Sequence, residues 1–125
     1  MLKNSSLVAF VGVADLGRAR AFYENILGLE IVSEDGFAVE ARASGAHLRI
    51  TKVPAVTAAP YTVLGFAVQG IEAKVDALAA KDITFERYAF LGDAQSAKGI
   101  WTAPSGARVA WFKDPDGNLL SLSEI

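Results

Sequence analysis

The chain has 125 residues, of which 52% are hydrophobic and 21% are charged, and its net charge at pH 7 is −2. This length suits one ordinary domain with a real core, and the composition excludes a disordered chain. The charges form no basic track for nucleic acid, no apolar run is long enough to span a bilayer, and the absence of cysteine excludes disulfides and thiolate chemistry. We therefore expect a cytoplasmic protein that binds neither nucleic acid nor membrane.

The first half of the chain shows the pattern of a strand, a helix and three further strands. Asp15 can cap the helix, Gly28 can end it, and the spacing of Ala19, Phe22 and Ile26 predicts its buried face. The alternation and the turn residues predict strands over 7–13, 30–33, 37–42 and 46–53. The segment 54–60 has two prolines and no charge, so we interpret it as a linker.

The second half repeats this order of elements. Ile71, Val75 and Leu78 predict the buried face of a second helix, and Asp82 stands where that helix should end in a left-handed residue. Strands are predicted over 61–68, 83–88, 100–103, 108–113 and 119–123. We predict a single α+β domain over 1–125 made of two βαβββ modules, about 6–53 and about 61–125. Their curved mixed sheet would enclose a cup.

Two segments resemble a known family. The helix sequence over 15–29, with Phe22-Tyr23 followed by Leu-Gly-Leu, and the hairpin over 112–120, with Asp-Pro-Asp-Gly-Asn, resemble the vicinal oxygen chelate superfamily, the glyoxalase/bleomycin-resistance/dioxygenase group. The resemblance implies paired βαβββ modules, a homodimer, and a cup that in many members holds a divalent metal. The Asp-Pro-Asp-Gly residues at 114–117 themselves are interpreted as structural, because they are typical of a tight turn.

The positions that would carry the metal depart from the family pattern. In metal-bearing relatives the ligands are His or Glu on the first strand of each module and Glu on the last strand. The matching positions here are Val8, Arg49, Val63 and Ser121. Valine offers no donor atom and arginine stays protonated, so the resemblance predicts a cup with no metal and no cofactor.

The same comparison predicts which side chains line the cup. They are Arg49, Trp111, His47, Phe10, Trp101 and Ser121. Each has a structural alternative: the tryptophans can pack the sheet, Phe10 can belong to the core, and Arg49 can pair with Glu40 or Glu86. His47 shows no partner in the sequence that would orient it as a general base.

The sequence therefore predicts metal-free binding of an anionic or aromatic organic small molecule, with sequestration or resistance as the biological role. One alternative is a metal-dependent lyase, isomerase or oxygenase of the glyoxalase/dioxygenase type. Another is a metal-free enzyme that uses His47 or Arg49, so whether a reaction is catalysed stays open. A third is a purely structural module whose cup is filled by side chains.

Overall fold

The computed structural model describes residues 1–125 and contains two compact units, 1–57 and 58–125. The break between the units lies inside the proline-containing, uncharged segment 54–60. Each unit contains one four-stranded mixed sheet and few helical residues, so the α+β class predicted from the sequence is confirmed. None of the helices has the length and apolar character needed to cross a membrane.

The first unit has the order strand, helix and three strands. Its elements are β1 (Val8–Val13), α1 (Leu16–Arg20) continued by a π-helical turn (Ala21–Ile26), β2 (Glu30–Glu34), β3 (Ala38–Ala43) and β4 (Ala46–Lys52). The sheet order is β1-β4-β3-β2, with β1 parallel to β4 and the other neighbours antiparallel. Alternate strand residues, such as Val13, Val39 and Ile50, are fully buried.

The π-helical turn changes which residues the first helix buries. Asp15 caps the helix as predicted, accepting a hydrogen bond of 2.9 Å from Arg18 N. The extra residue in the π turn, closed by Leu27 N donating to Phe22 O over 3.0 Å, rotates the following side chains. Tyr23 is therefore fully buried, whereas Ile26, predicted to be buried, is only half-buried.

The second unit repeats this order with a different connection after its helix. Its elements are β5 (Leu64–Ala67), α2 (Ile71–Ala79), a 3-10 helix (Ala89–Ala94), β6 (Trp101–Thr102), β7 (Arg108–Lys113) and β8 (Leu119–Glu124). The sheet order is β5-β8-β7-β6, with β5 parallel to β8. Ile71, Val75 and Leu78 are the buried residues of α2, as the sequence predicts, and Asp82 has a left-handed φ of 67°.

The strand predicted over 83–88 was wrong. Only Phe85 makes an isolated bridge, to Phe112, and no continuous ladder follows. The reason lies in buried Gln95, whose amide donates to Glu86 O at 2.8 Å and accepts from Tyr88 N at 3.0 Å. A side chain thus satisfies backbone groups that a strand would have paired. The strand predicted over 61–68 is also shorter, at Leu64–Ala67.

The turn between β7 and β8 confirms the structural interpretation of its acidic residues. The buried Asp114 carboxylate accepts hydrogen bonds from the backbone N–H groups of Asp116 and Asn118, each 2.9 Å long. Its second oxygen accepts from the Asn118 side-chain amide at 2.8 Å. Gly117 supplies the positive φ, 86°, that the reversal requires.

Candidate functional site

The first sheet leaves one face uncovered by α1. Along β4 the residues alternate, so Leu48 and Ile50 are buried while His47, Arg49 and Thr51 lie on the other side. We call this side the open face of the first sheet. Its residues from β1, β3 and β4 are Val8, Phe10, Glu40, Arg42, His47, Arg49 and Thr51.

Three predicted site residues lie together on this open face. Phe10 and Glu40 flank Arg49 in the strand register, and His47 follows on the same face two residues before Arg49. Phe10 is 64% exposed, which contradicts its alternative interpretation as a core residue. An exposed phenylalanine beside an arginine gives the face both apolar and cationic surface.

Glu40 pairs with His47 and not with Arg49. Glu40 Oε1 lies 3.0 Å from His47 Nδ1, an orienting partner that the sequence does not show. Glu86, the other suggested partner of Arg49, pairs with Lys113 at 3.4 Å. Ser44-Gly45 is a two-residue turn with φ of 48° and 81°, which fixes the β3–β4 register. This register places Glu40 opposite Arg49, so the contact of Glu40 with His47 is diagonal and is not marked in the sequence.

Arg49 has no hydrogen-bond or ion-pair partner in the chain, although it is only half-exposed. Its charge acts on Asp35, in the β2–β3 turn. The pKa of Asp35 is lowered chiefly because its carboxylate accepts from the backbone N–H groups of Phe37 and Ala38, and further by the positive charge of Arg49. The guanidinium thus retains all of its donors for an external oxyanion.

The second unit contains an aromatic cavity of about 480 Å³. Trp101 and Trp111 stack along one wall with ring centroids 5.9 Å apart, and Tyr88 meets Trp111 edge-on at 5.4 Å. Phe90 lies against Tyr88 at 5.9 Å. The lining residues are Pro60, Tyr61, Thr62, Tyr88, Phe90, Leu91, Trp101, Trp111 and Leu119. We call this space the aromatic cavity.

Two predicted site residues line the aromatic cavity and a third does not. Trp111 and Trp101 belong to its wall, whereas Ser121, which lies opposite Trp111 in the register, is buried and absent from the lining. A Cβ atom at Gly65 would lie 3.0 Å from Ser121 Oγ, so the serine packs closely against β5. Sequence reasoning missed Tyr88 and Phe90, because Tyr88 was assigned to the end of a strand that does not form and Phe90 lies in the connection that follows it.

The aromatic cavity has no charged residue in its lining. Burial raises the pKa of Tyr88, the negative charge of Glu86 raises it further, and Lys113 opposes the shift. The phenol therefore stays protonated and available as a donor at all physiological pH values. Aromatic walls with a few polar groups are the usual composition of a small-molecule site.

The four positions that carry metal ligands in metal-bearing relatives do not fit a divalent cation in this chain. Val8 and Val63 are 48% and 38% exposed and present only carbon atoms, Arg49 is a cation, and Ser121 is buried. No group of three or more His, Asp or Glu side chains lies close enough to hold a metal ion. These residues therefore offer no set of nitrogen and oxygen donors that could support metal-dependent chemistry.

In both units the first strand pairs in parallel with the last and a helix follows that first strand, which defines the βαβββ class of α+β proteins. Residues 6–122 match the model of the Glyoxalase/Bleomycin resistance protein/Dioxygenase superfamily. The chain belongs to this superfamily. A comparison with curated proteins gives no match.

Solved structures show the same fold at low sequence identity. A superfamily member from Sphaerobacter thermophilus is 22% identical, with both chains covered completely and a TM-score of 0.76. The fosfomycin resistance protein FosX from Listeria monocytogenes is 17% identical over 98% of this chain and 93% of its own, with a TM-score of 0.77. Lactoylglutathione lyase from Agrobacterium tumefaciens is 19% identical over 97% and 93%, with a TM-score of 0.75.

Proposed function

We propose that this protein binds an organic small molecule in the aromatic cavity, without a metal. The observation that carries the proposal is the stacked pair Trp101 and Trp111 with Tyr88 against it, around a cavity of about 480 Å³. Small-molecule sites typically enclose roughly 300 to 1,000 Å³ and bind mostly through apolar and aromatic surface. A cavity of this size accommodates one planar ring system and its substituents.

The composition of the lining favours an uncharged aromatic ring as the part of the ligand that enters. An anionic group placed there would lose its water without gaining a cationic partner. Arg49, on the open face of the first sheet, is the residue predicted to hold an anionic substituent. Its contact with the ligand that also contacts Trp111 remains a prediction, as do the contacts of His47 and Phe10.

Sequestration or resistance is the role we propose for this binding. It needs a site that binds and releases an organic compound unchanged, so it makes no demand on metal ligands. A structural relative is a fosfomycin resistance protein, which supports a role of this kind. Another is a lactoylglutathione lyase, but a metal-dependent reaction of that class would need donor atoms that Val8 and Val63 lack.

The proposal is tested by a thermal-shift screen against planar aromatic compounds and aromatic carboxylates, followed by calorimetry on the hits. A buried aromatic contact contributes on the order of 1 to 3 kcal/mol, so Trp111→Ala should weaken binding roughly 5- to 150-fold. Trp111→Phe should retain most of the affinity. Phe37→Ala removes a ring that is 76% exposed and lies outside the cavity, so it is the matched control.

Arg49→Ala tests the prediction that Arg49 binds an anionic group. It should weaken binding of aromatic carboxylates and leave neutral compounds of the same shape unaffected, because it removes only the cation. Equal affinity of the wild type and Trp111→Ala for every hit would place the binding site outside the aromatic cavity. If no compound of either class shifts the melting temperature, the binding function itself is wrong.

A further inference from the structure

The open face of the first sheet holds the only histidine of the chain in a defined orientation. His47 Nδ1 lies 3.0 Å from Glu40 Oε1, and the two side chains are 30% and 31% exposed. A carboxylate only accepts hydrogen bonds, so a neutral imidazole in this contact carries its proton on Nδ1. Its Nε2 then presents a lone pair, and no group of the chain hydrogen-bonds to it.

Arg49 places a fixed positive charge on the same face. It follows His47 by two residues on β4, so both side chains emerge on one side of the sheet. The other cation of this face, Arg42, faces Glu30 at 3.8 Å, and Asp35 lies near Arg49 at the β2–β3 turn. Arg49 alone among these charged groups has no ion-pair or hydrogen-bond partner.

A purely structural role explains this arrangement poorly. A half-exposed carboxylate–histidine pair contributes little to stability, and a half-buried arginine without a partner contributes nothing through charge. A base held by a carboxylate, next to a cation that has free donors, is instead the arrangement that proton abstraction requires. The exposed ring of Phe10, in register with Arg49, adds apolar surface for the body of a substrate.

We propose that His47, Glu40 and Arg49 form a metal-independent proton-transfer site for small carbonyl compounds that bear a carboxylate, with an acidic C–H between the two groups. His47 Nε2 takes the proton from that carbon, and the C–H electron pair forms the enolate C=C bond while the negative charge moves to the carbonyl oxygen. Arg49 stabilises that oxygen, and Glu40 stabilises the imidazolium. Return of the proton from His47 to the enolate oxygen gives the enol, so no oxidant or co-reactant is needed.

The function proposed above depends on the aromatic cavity of the second unit, whereas this site depends on residues of the first. Arg49, His47 and Phe10 are also predicted ligand contacts there, but Trp111→Ala tests only the cavity and the kcat of His47→Gln tests only this site. Either proposal can fail while the other holds. His47 is the catalytic residue, Arg49 contacts the reacting oxygen, and Glu40 is a positioning residue.

The first test uses nitrogen NMR on the wild-type protein, where a single histidine gives an unambiguous spectrum. The nitrogen shifts should show Nδ1 protonated and Nε2 unprotonated in the neutral ring. Glu40→Gln, which keeps an acceptor, should retain this tautomer, whereas Glu40→Ala should move the proton to Nε2. A wild-type ring protonated on Nε2 would overturn the proposal without any variant having to fold.

The second test follows the ketone–enol interconversion of oxaloacetate by ultraviolet absorbance, with a chelator present so that stray metal does not contribute. The wild type should accelerate the reaction, and His47→Gln should lower kcat by about 100-fold or more. Arg49→Gln should lower kcat/KM about tenfold or more, because it removes the cation that stabilises the enolate oxygen, and Glu40→Ala should lower kcat. Lys52→Gln, which removes a cation from the other side of the same strand, is the matched control.

Two results of this assay would also overturn the proposal. One is a wild-type rate no higher than that of buffer alone, and the other is a His47→Gln variant as active as the wild type. Folding of each variant is checked by its melting temperature, and a variant that fails to fold is replaced by the tautomer measurement as the deciding result.

Discussion

Asp114 shows how one buried carboxylate can hold a whole turn. It accepts from two backbone N–H groups and from the Asn118 amide, at 2.8 to 2.9 Å, while only 5% exposed. Asp114→Ala would leave those donors without a partner away from water, at about 1–3 kcal/mol for each buried unpaired group. We expect the free energy of unfolding to fall by about 3 kcal/mol, measured by urea denaturation.

Two further variants separate this effect from a general effect of losing an acidic residue. Asp114→Asn keeps one oxygen for the two backbone N–H groups, so its loss of stability should be clearly smaller. Asp93→Ala removes an exposed aspartate from the 3-10 helix and should change the free energy of unfolding by less than about 0.5 kcal/mol. An Asp114→Ala variant as stable as the wild type would contradict the structural role of the turn.

Single residues also decide how the aromatic cavity is bounded. Gln95 fixes the backbone at Glu86 and Tyr88, and Tyr88 in turn lies edge-on against Trp111. The position of an aromatic wall thus depends on one buried amide. No repeating pattern in the sequence distinguishes buried Gln95 from a glutamine on the surface.

At the scale of elements, the N-terminus of α2 is capped by a residue from β8. Glu124 accepts from the backbone N–H of Gly70 at 2.7 Å and of Ile71 at 3.4 Å, 54 and 53 residues away in the chain. These hydrogen bonds are the main reason that the pKa of Glu124 lies below its ordinary value near 4.5, and the positive charge of Arg108 lowers it further. The ionised carboxylate therefore stabilises the start of the helix.

This contact predicts a pH dependence with a definite sign. Because the folded pKa of Glu124 is depressed, its contribution is fully present above pH 4.5 and is lost as the pH falls through the folded pKa. Glu124→Gln should therefore lower the melting temperature at pH 7, and the difference from wild type should shrink below pH 4.5. Thermal unfolding followed by circular dichroism at a series of pH values measures it.

Glu30→Gln is the matched control for this experiment. Glu30 is an exposed carboxylate that faces only Arg42, at 3.8 Å, and caps no helix. Its replacement should leave the melting temperature nearly unchanged at every pH. A Glu124→Gln difference of the same size at pH 7 and at pH 3 would refute the charge-based explanation of the helix cap.

For the whole molecule, we predict a homodimer, on family grounds and from the apolar surface of so small a chain. Phe37 of the first unit is 76% exposed, and the edge strand β2 leaves one row of backbone groups unpaired. A second copy of the chain can cover both kinds of surface. Light scattering at micromolar concentration should give twice the chain mass of 13.2 kDa. A monomer there would contradict the prediction.

The metal content is also a property of the whole molecule. Since Val8, Arg49, Val63 and Ser121 provide no suitable set of donors, purified protein should contain far less than one equivalent of Zn, Ni, Mn or Fe. Chelation should leave the melting temperature unchanged. One bound equivalent by elemental analysis, lost on chelation together with cooperative unfolding, would show that other residues hold a metal.

The sequence by itself determined the architecture. Several features depend only on residues that are close together in the chain. They are the helix cap at Asp15, the apolar spacing of Ile71, Val75 and Leu78, and the turn over 114–117. Such short-range preferences appear in any single sequence, and the order of elements follows from them. Strand alternation likewise places His47 and Arg49 on one face, as the structure shows.

Only the tertiary structure decided the details on which a site depends. The π turn that buries Tyr23, the amide of Gln95 that replaces a strand over 83–88, and the Glu40–His47 contact each depend on atoms brought together by folding. The aromatic cavity is the clearest case, because Tyr61, Tyr88, Trp101 and Trp111 are far apart in sequence. A hydrophobic pattern indicates which residues are buried, because burial can be inferred for each position separately. It does not indicate which distant side chains come into contact, because a contact depends on a pair of positions that only folding brings together.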